Sequence, residues 1–171
     1  MIIRQATISD AWNIAKVNVD AWRTTYKGIV SDDYLNELSY NNLEKRWMTF
    51  INDSSKGKIN IFVSENEENE IIGFASCGIE REIDNPTYGE LYAIYIIKEY
   101  QNKGVGKILF DCVIKKLNEL KFNLMLIWAL EDNLQACRFY ELMGGEKVKE
   151  KYIKIGNNTL KEVAYEWIIN S

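Results

Sequence analysis

The run Gln101-Asn102-Lys103-Gly104-Val105-Gly106-Lys107 places two glycines at the start of a stretch whose apolar residues then recur at helical spacing. A glycine-bearing turn that opens a helix leaves backbone N–H groups without intrahelical partners, and the helix dipole adds positive character at the same point. Such a point binds an anion. The apolar run Glu90 to Ile97 just upstream reads as a strand, and a strand entering such a turn has the geometry that grips a pyrophosphate. Gly104 would let the backbone approach closely, and Gly106 would let the first helical turn pack with no side chain in the way. The same turn also serves as a plain helix cap. Its spacing fits neither common nucleotide motif: no GxxxxGKS or GxxxxGKT run is present, and Leu109 stands where GxGxxG needs its third glycine.

Composition narrows the chemistry further. The chain contains no histidine and no CxxC pair, which removes the usual zinc sites and any imidazole base. No metal is expected. Cys77, Cys112 and Cys137 are odd in number, widely spaced and set among apolar residues, so they read as buried thiols of a reducing compartment. A net charge of −4 argues against binding a phosphate backbone, which takes clustered Lys and Arg. There is no basic segment followed by an apolar run at the N-terminus and no apolar stretch of membrane-spanning length. The expectations are a cytoplasmic protein without nucleic-acid or membrane partners, with a homodimer allowed.

The elements that must hold these residues follow from periodicity. Met1 to Thr7 reads as a strand, after which Ser9 or Asp10 caps a helix carrying Ala11, Ile14, Ala15, Val19 and Trp22. Ser31 to Asp33 caps a second helix, and Asn41 or Asn42 a third. Ile59 to Ser64 and Ile71 to Cys77 form a hairpin around a solvated acidic turn, and Gly89 to Ile97, after Pro86, is dense enough in apolar residues for a central strand. A helix over Gly104 to Leu120, a buried strand over Leu124 to Leu130, a helix capped by Asn133 and ended by Gly144-Gly145, and a last hairpin over 147–155 and 159–169 complete the order. With 171 residues and 47% apolar composition, the expectation is one domain over residues 1–171. Its fold class is mixed α/β.

Two motifs in this order carry a resemblance. Ile94-Tyr95-Ile96 followed by Gln101 to Lys107 resembles the signature turn of the Gcn5-related N-acetyltransferase (GNAT) superfamily. Asn133 to Gly144, with Phe139-Tyr140 inside it, resembles that superfamily's closing segment. Two departures stand out: Lys98 replaces a proline often found before the turn, and Gln101 or Asn102 an arginine often found within it. The resemblance implies a single-domain GNAT-like fold, with a mostly antiparallel mixed sheet of about seven strands, splayed at the CoA site and flanked by four to five helices. It implies acetyl-CoA as co-substrate. The backbone of Ile94, Tyr95 and Ile96 would pair with pantetheine, and Asn102, Lys103, Gly104, Val105, Gly106 and Lys107, with Gln101, would wrap the pyrophosphate.

Acetyl transfer to an amine needs a base for the ammonium proton and an acid for the leaving thiolate. The resemblance places Tyr140 beside the sulfur as general acid, and Asn133 on the cofactor as well as at its helix cap. Glu90, embedded beside Leu91, Tyr92 and Ala93 on the strand that resembles the family's site strand, is the expected base, with Glu131 the competing carboxylate. A backbone N–H near Ile96 would hold the oxyanion. The amine would enter under the early helices, where Trp22, Tyr26, Tyr34, Tyr40 and Trp47 lie near Asp32, Asp33 and Glu37, a set suited to a cation and equally to a helical core. The rival readings are a non-catalytic acyl-CoA-binding module, a nucleotide binder, and an acyltransferase using another acyl-CoA.

Overall fold

The computed structural model of the protein describes residues 1–54, 59–82 and 87–169. Its elements are β1 (Ile2–Gln5), α1 (Ala11–Thr25), α2 (Asp32–Glu37), α3 (Tyr40–Ser54), β2 (Ile59–Glu65), β3 (Ile71–Ile79), β4 (Tyr88–Ile96), α4 (Val105–Glu119), β5 (Leu124–Leu130), α5 (Leu134–Leu142), β6 (Glu146–Ile155) and β7 (Asn158–Ile168). This is the order that periodicity predicts. One seven-stranded sheet runs β1-β2-β3-β4-β5-β7-β6, antiparallel at every junction except the parallel pair β4–β5.

Alternation along the strands sends side chains to two layers. Ile61, Val63, Ile71 and Phe74 pack against Ala11, Ile14, Trp47 and Ile51 of α1 and α3 on one face. Ile72, Ala75, Met125 and Ile127 pack against Leu109, Val113 and Leu117 of α4, together with α5, on the other. Burial of these stripes holds the helices in place, at about 25 cal/mol for each Å² of apolar surface removed from water.

Local signals account for most element ends. Ser31 Oγ accepts the Tyr34 N–H at 3.4 Å at the start of α2, and Asn133 Oδ1 accepts the Ala136 N–H at 3.2 Å at the start of α5. The first and third helices differ from expectation: Asp10 stands at the N-cap of α1 without a side-chain cap bond, and its Oδ2 accepts from the Thr7 N–H at 2.7 Å. Ser39 Oγ accepts the Asn42 N–H at 3.3 Å, so α3 begins ahead of the expected asparagine caps. Cys77 and Cys137 are buried as expected, whereas Cys112 sits half-buried on α4. Pro86 lies outside the described residues.

The sheet opens in its middle. β4 pairs with β5 only at Tyr88–Leu124, Gly89–Met125 and Glu90–Leu126. Beyond Glu90, β4 continues with β3 as far as Ile96, while β5 continues with β7 as far as Leu130. Ser76 faces Ala93 and Cys77 faces Leu91, so Tyr92 is an extra residue on β4. A bulge of this kind bends its strand, and this one lies two residues past the last β4–β5 pair. The strand is central, as its apolar density predicts, yet residues 92–96 are only half-buried because they wall the opening.

Candidate active site

The opening between β4 and β5 is a cleft of about 1010 Å³. One wall is the edge of β4 at Ile94, Tyr95 and Ile96, and the other includes Ile127 and Ala129 of β5 with Asn133, Phe139 and Tyr140 of the α5 segment. At the mouth lie Gln101, Asn102, Gly104, Gly106 and Lys107. Asn102 (φ 57) and Gly104 (φ 85) are both left-handed, a backbone geometry that turns successive N–H groups toward a common point. Gly104 is also the N-cap of the fifteen-residue helix α4, so the helix dipole acts there too. A Cβ on Gly106 would lie 3.2 Å from Ile96 Cδ1 and 3.5 Å from Phe139, both cleft residues, so a side chain here would crowd the passage. The charged side chains lining the cleft are Lys98, Lys107 and Arg138, with no carboxylate among the described residues.

Other expected turn residues do structural work. Gln101 Nε2 donates to the Ile96 carbonyl at 3.0 Å, and its Oε1 accepts from Gln135 at 3.2 Å, tying the turn to β4 and α5. Val105 is buried at 2% exposure, so its side chain belongs to the core and does not line the cleft. Lys103 does not line the cleft and lies over the Tyr100 ring at 5.2 Å.

Tyr140 reaches the cleft from the last turn of α5. Its ring packs against Phe139 at 5.5 Å, Tyr165 at 5.9 Å and Trp167 at 6.1 Å. Burial pushes its phenol well above the ordinary tyrosine range. The group therefore stays protonated at neutral pH and can act only as a proton donor there. Near it, the Tyr26 and Tyr95 hydroxyls lie 3.4 Å apart, and burial raises both phenols.

A second cavity of about 590 Å³ opens on the α1–α3 side. Its walls are Trp22, Tyr34, Leu38, Leu43, Trp47 and Phe50, with Asn18 and Ser76 as polar points and Arg46 and Arg81 as charges. It shares Tyr92, Ala93 and Tyr95 with the cleft, so the two spaces meet across β4 at the bulge.

The acidic residues expected at the site lie outside both spaces. Glu90 is 2% exposed and lines neither space. Its Oε2 accepts from Arg81 Nε at 3.0 Å and from the Arg81 backbone N–H at 3.2 Å, and its Oε1 accepts from Arg81 Nη2. So engaged, the carboxylate is turned toward Arg81 and lies outside both spaces. Arg81 in turn lies 4.5 Å over the Tyr92 ring, and the Tyr92 hydroxyl donates to the Ile79 carbonyl, so the set braces the bulge. Glu131, the competing carboxylate, is exposed to solvent, lines neither space, and is held below the usual carboxylate range by the Lys147 ammonium. The same holds for the acidic residues of the early helices. Trp22, Tyr34 and Trp47 do line the second cavity, but Asp32, Asp33 and Glu37 do not. Tyr26 belongs to the cleft, and Tyr40 donates to Asp20 at 2.7 Å, away from both.

Sequence reasoning missed Arg46, Arg81, Trp128 and Arg138 as lining residues. Arg138 stands two residues before Tyr140 inside the closing motif, a signal that was available. For Arg46 and Arg81 no motif exists, since α3 and the end of β3 meet only in the fold.

Residues 19–144 match the profile of the acetyltransferase (GNAT) family. A curated relative, an uncharacterized N-acetyltransferase YuaI of Bacillus subtilis, is 39% identical over 165 residues, covering 96% of this chain and 91% of the relative. The chain belongs to the GNAT family. A spermidine N(1)-acetyltransferase of Thermoplasma acidophilum is 26% identical over 170 residues, covering 96% of this chain and 97% of that protein. Among solved structures, a PaiA N-acetyltransferase of Thermoplasma acidophilum in complex with coenzyme A superposes with a TM-score of 0.77 at 21% identity, over 94% of this chain and 96% of that one. The splayed seven-stranded sheet is thus a GNAT fold, and the protein is an acetyltransferase of that class. Among the described residues no helix is long and apolar enough to cross a membrane, and no cluster of three or more Cys, Asp or Glu could hold a metal.

Proposed function

We propose that this GNAT protein, acting as a single cytoplasmic domain, moves an acetyl group from acetyl-CoA to a primary amine by direct attack. The observation that carries the reading is the meeting of two spaces at Tyr92, Ala93 and Tyr95, one fitted to a long anionic thioester and the other to its acceptor. Pantetheine lies along the edge of β4 left open beyond Glu90 and pairs with the backbone of Ile94, Tyr95 and Ile96. The pyrophosphate sits on the N–H groups of the Asn102–Lys107 turn, with Lys98, Lys107 and Arg138 supplying counter-charge. Gln101 and Asn133 hold the two sides of the cleft around it.

Chemistry takes place at the junction. The amine nitrogen attacks the thioester carbonyl, a backbone N–H near Ile96 receives the oxyanion, and collapse of the tetrahedral adduct breaks the C–S bond. Tyr140 gives its phenolic proton to the departing thiolate and is reprotonated from solvent. The amine proton leaves to water, because no carboxylate lines either space among the described residues. Glu90 enters as a positioning residue that fixes Arg81 and the bulge. Both bond changes occur in one ternary complex, so no cysteine nucleophile is needed; burial raises the Cys77 and Cys137 thiols, which keeps them unreactive.

The test is release of free thiol from acetyl-CoA in the presence of a panel of primary amines, alongside thermal shifts with CoA, ATP and NAD. Amine-dependent thiol release and stabilisation by CoA alone are expected. Stabilisation by ATP or NAD with no thiol release from any amine contradicts the proposal.

A further inference from the structure

The lining charges of the second cavity identify its ligand more closely than a primary amine. The chain carries 25 acidic and 21 basic residues, yet among the described residues the cavity is lined by two arginines and no carboxylate. Arg81 is matched by Glu90. Arg46, on the exposed side of α3, shows no ion-pair partner among the described residues and faces a space walled by Trp22, Tyr34, Trp47 and Phe50. A guanidinium beside aromatic walls offers a carboxylate a planar, two-pronged, charge-assisted hydrogen bond even where water reaches it. A polyamine would bring two or more ammonium groups to a wall whose described residues offer no anion to receive them.

We infer that the acceptor is an amine that also bears a carboxylate, with an apolar body of amino-acid size, and that Arg46 is its counter-charge. This rests on the acetyl-transfer reading for the identity of the nucleophile but not for the binding. The cavity of about 590 Å³ holds a molecule of that size with room for water. The apolar body stacks on Trp22 and Trp47, the carboxylate turns to Arg46, and the amine points through the shared edge at Ala93 and Tyr95 toward the thioester. Asn18 and Ser76 offer further polar contacts along the way.

Matched amines separate this from the alternatives. L-Phenylalanine and phenethylamine, and L-leucine and isopentylamine, differ by the carboxylate, which also makes the amine about one pKa unit less basic, so each pair is compared at equal concentrations of free amine. Each is titrated into the CoA-bound protein with tryptophan fluorescence as readout, since Trp22 and Trp47 line the cavity. Each is also assayed as acceptor, with spermidine as the polyamine. Expected is tighter binding of the carboxylate-bearing member of at least one pair by about tenfold or more, with the same ratio in kcat/KM. In Arg46→Glu the ratio collapses to near unity and spermidine improves, while the KM for acetyl-CoA and the melting temperature stay as in the wild type. Preference of the wild-type protein for the decarboxylated amines or for spermidine overturns the inference, as does a ratio that survives Arg46→Glu. Failure of acetyl transfer itself has a different signature: no amine releases thiol, and the binding ratio still decides the inference.

Discussion

The cleft and the second cavity share a strand edge and are built in opposite ways. The cleft is made largely of backbone: the open edge of β4, the left-handed pair at Asn102 and Gly104, and the N-terminus of α4. The second cavity is made of side chains brought together from α1, α2, α3 and the ends of β3 and β4. Backbone recognition tolerates changes of side chain, so the cleft can serve one cofactor across a family whose sequences diverge. Side-chain recognition changes with each substitution, so in the proposed reading the second cavity is where the acceptor of this protein is selected.

The sharpest way to break that contrast is to fill the cleft at Gly106. Gly106→Val sets a branched side chain against Ile96 and Phe139 in the cleft and should raise the KM for acetyl-CoA about thirtyfold, a loss of about 2 kcal/mol of binding. The KM of the acceptor should hardly change. Reversal of charge is the next largest effect: Arg138→Glu at the cleft wall should raise the acetyl-CoA KM about tenfold, more at low salt than at high, in steady-state assays at two ionic strengths.

The cleft was legible in the sequence because its parts are contiguous. Gln101 to Lys107 and Asn133 to Gly144 each hold their residues in one stretch, and the glycines mark backbone requirements directly. The second cavity was legible only in part. Its aromatics on α1 to α3 show by helical spacing, but nothing along the chain signals that Arg46 and Arg81 would face the cavity while Asp32, Asp33 and Glu37 would not. Glu90 shows the same limit. Its apolar neighbours correctly imply burial, but its partner Arg81 stands across the β3–β4 connection and becomes visible only when the strands pair.

That pair sharpens the comparison from the other side. Glu90→Gln should cost about 1–2 kcal/mol of stability, a modest figure because the Arg81 side chain is 62% exposed. It should lower kcat no more than about threefold and leave the shape of the pH–rate profile unchanged, with log(kcat/KM) rising toward the ionisation of the amine. Loss of that rising limb would restore Glu90 as the base.

Smaller still at neutral pH is the contribution of the buried acids that stay protonated. Burial pushes the Cys77 thiol up from 9.0 to about 12 and raises Tyr95 and Tyr140 well above 10.0. Above those ordinary values the unfolded chain releases protons that the folded chain retains, so the stability is full below about pH 9 and falls as pH rises toward 12. Each such group contributes a slope of about 1.4 kcal/mol per pH unit in that window. Denaturant melts at pH 7, 9 and 10.5 should show no change over the first interval and a decline over the second.

The central claim is that Tyr140 gives the departing thiolate its proton from the wall of the CoA cleft. It is tested most directly by steady-state kinetics of Tyr140→Phe, a variant that removes one hydroxyl and keeps the ring that packs on Phe139, Tyr165 and Trp167. The account predicts a kcat at least about tenfold lower with the KM for acetyl-CoA nearly unchanged. An unchanged kcat would contradict it.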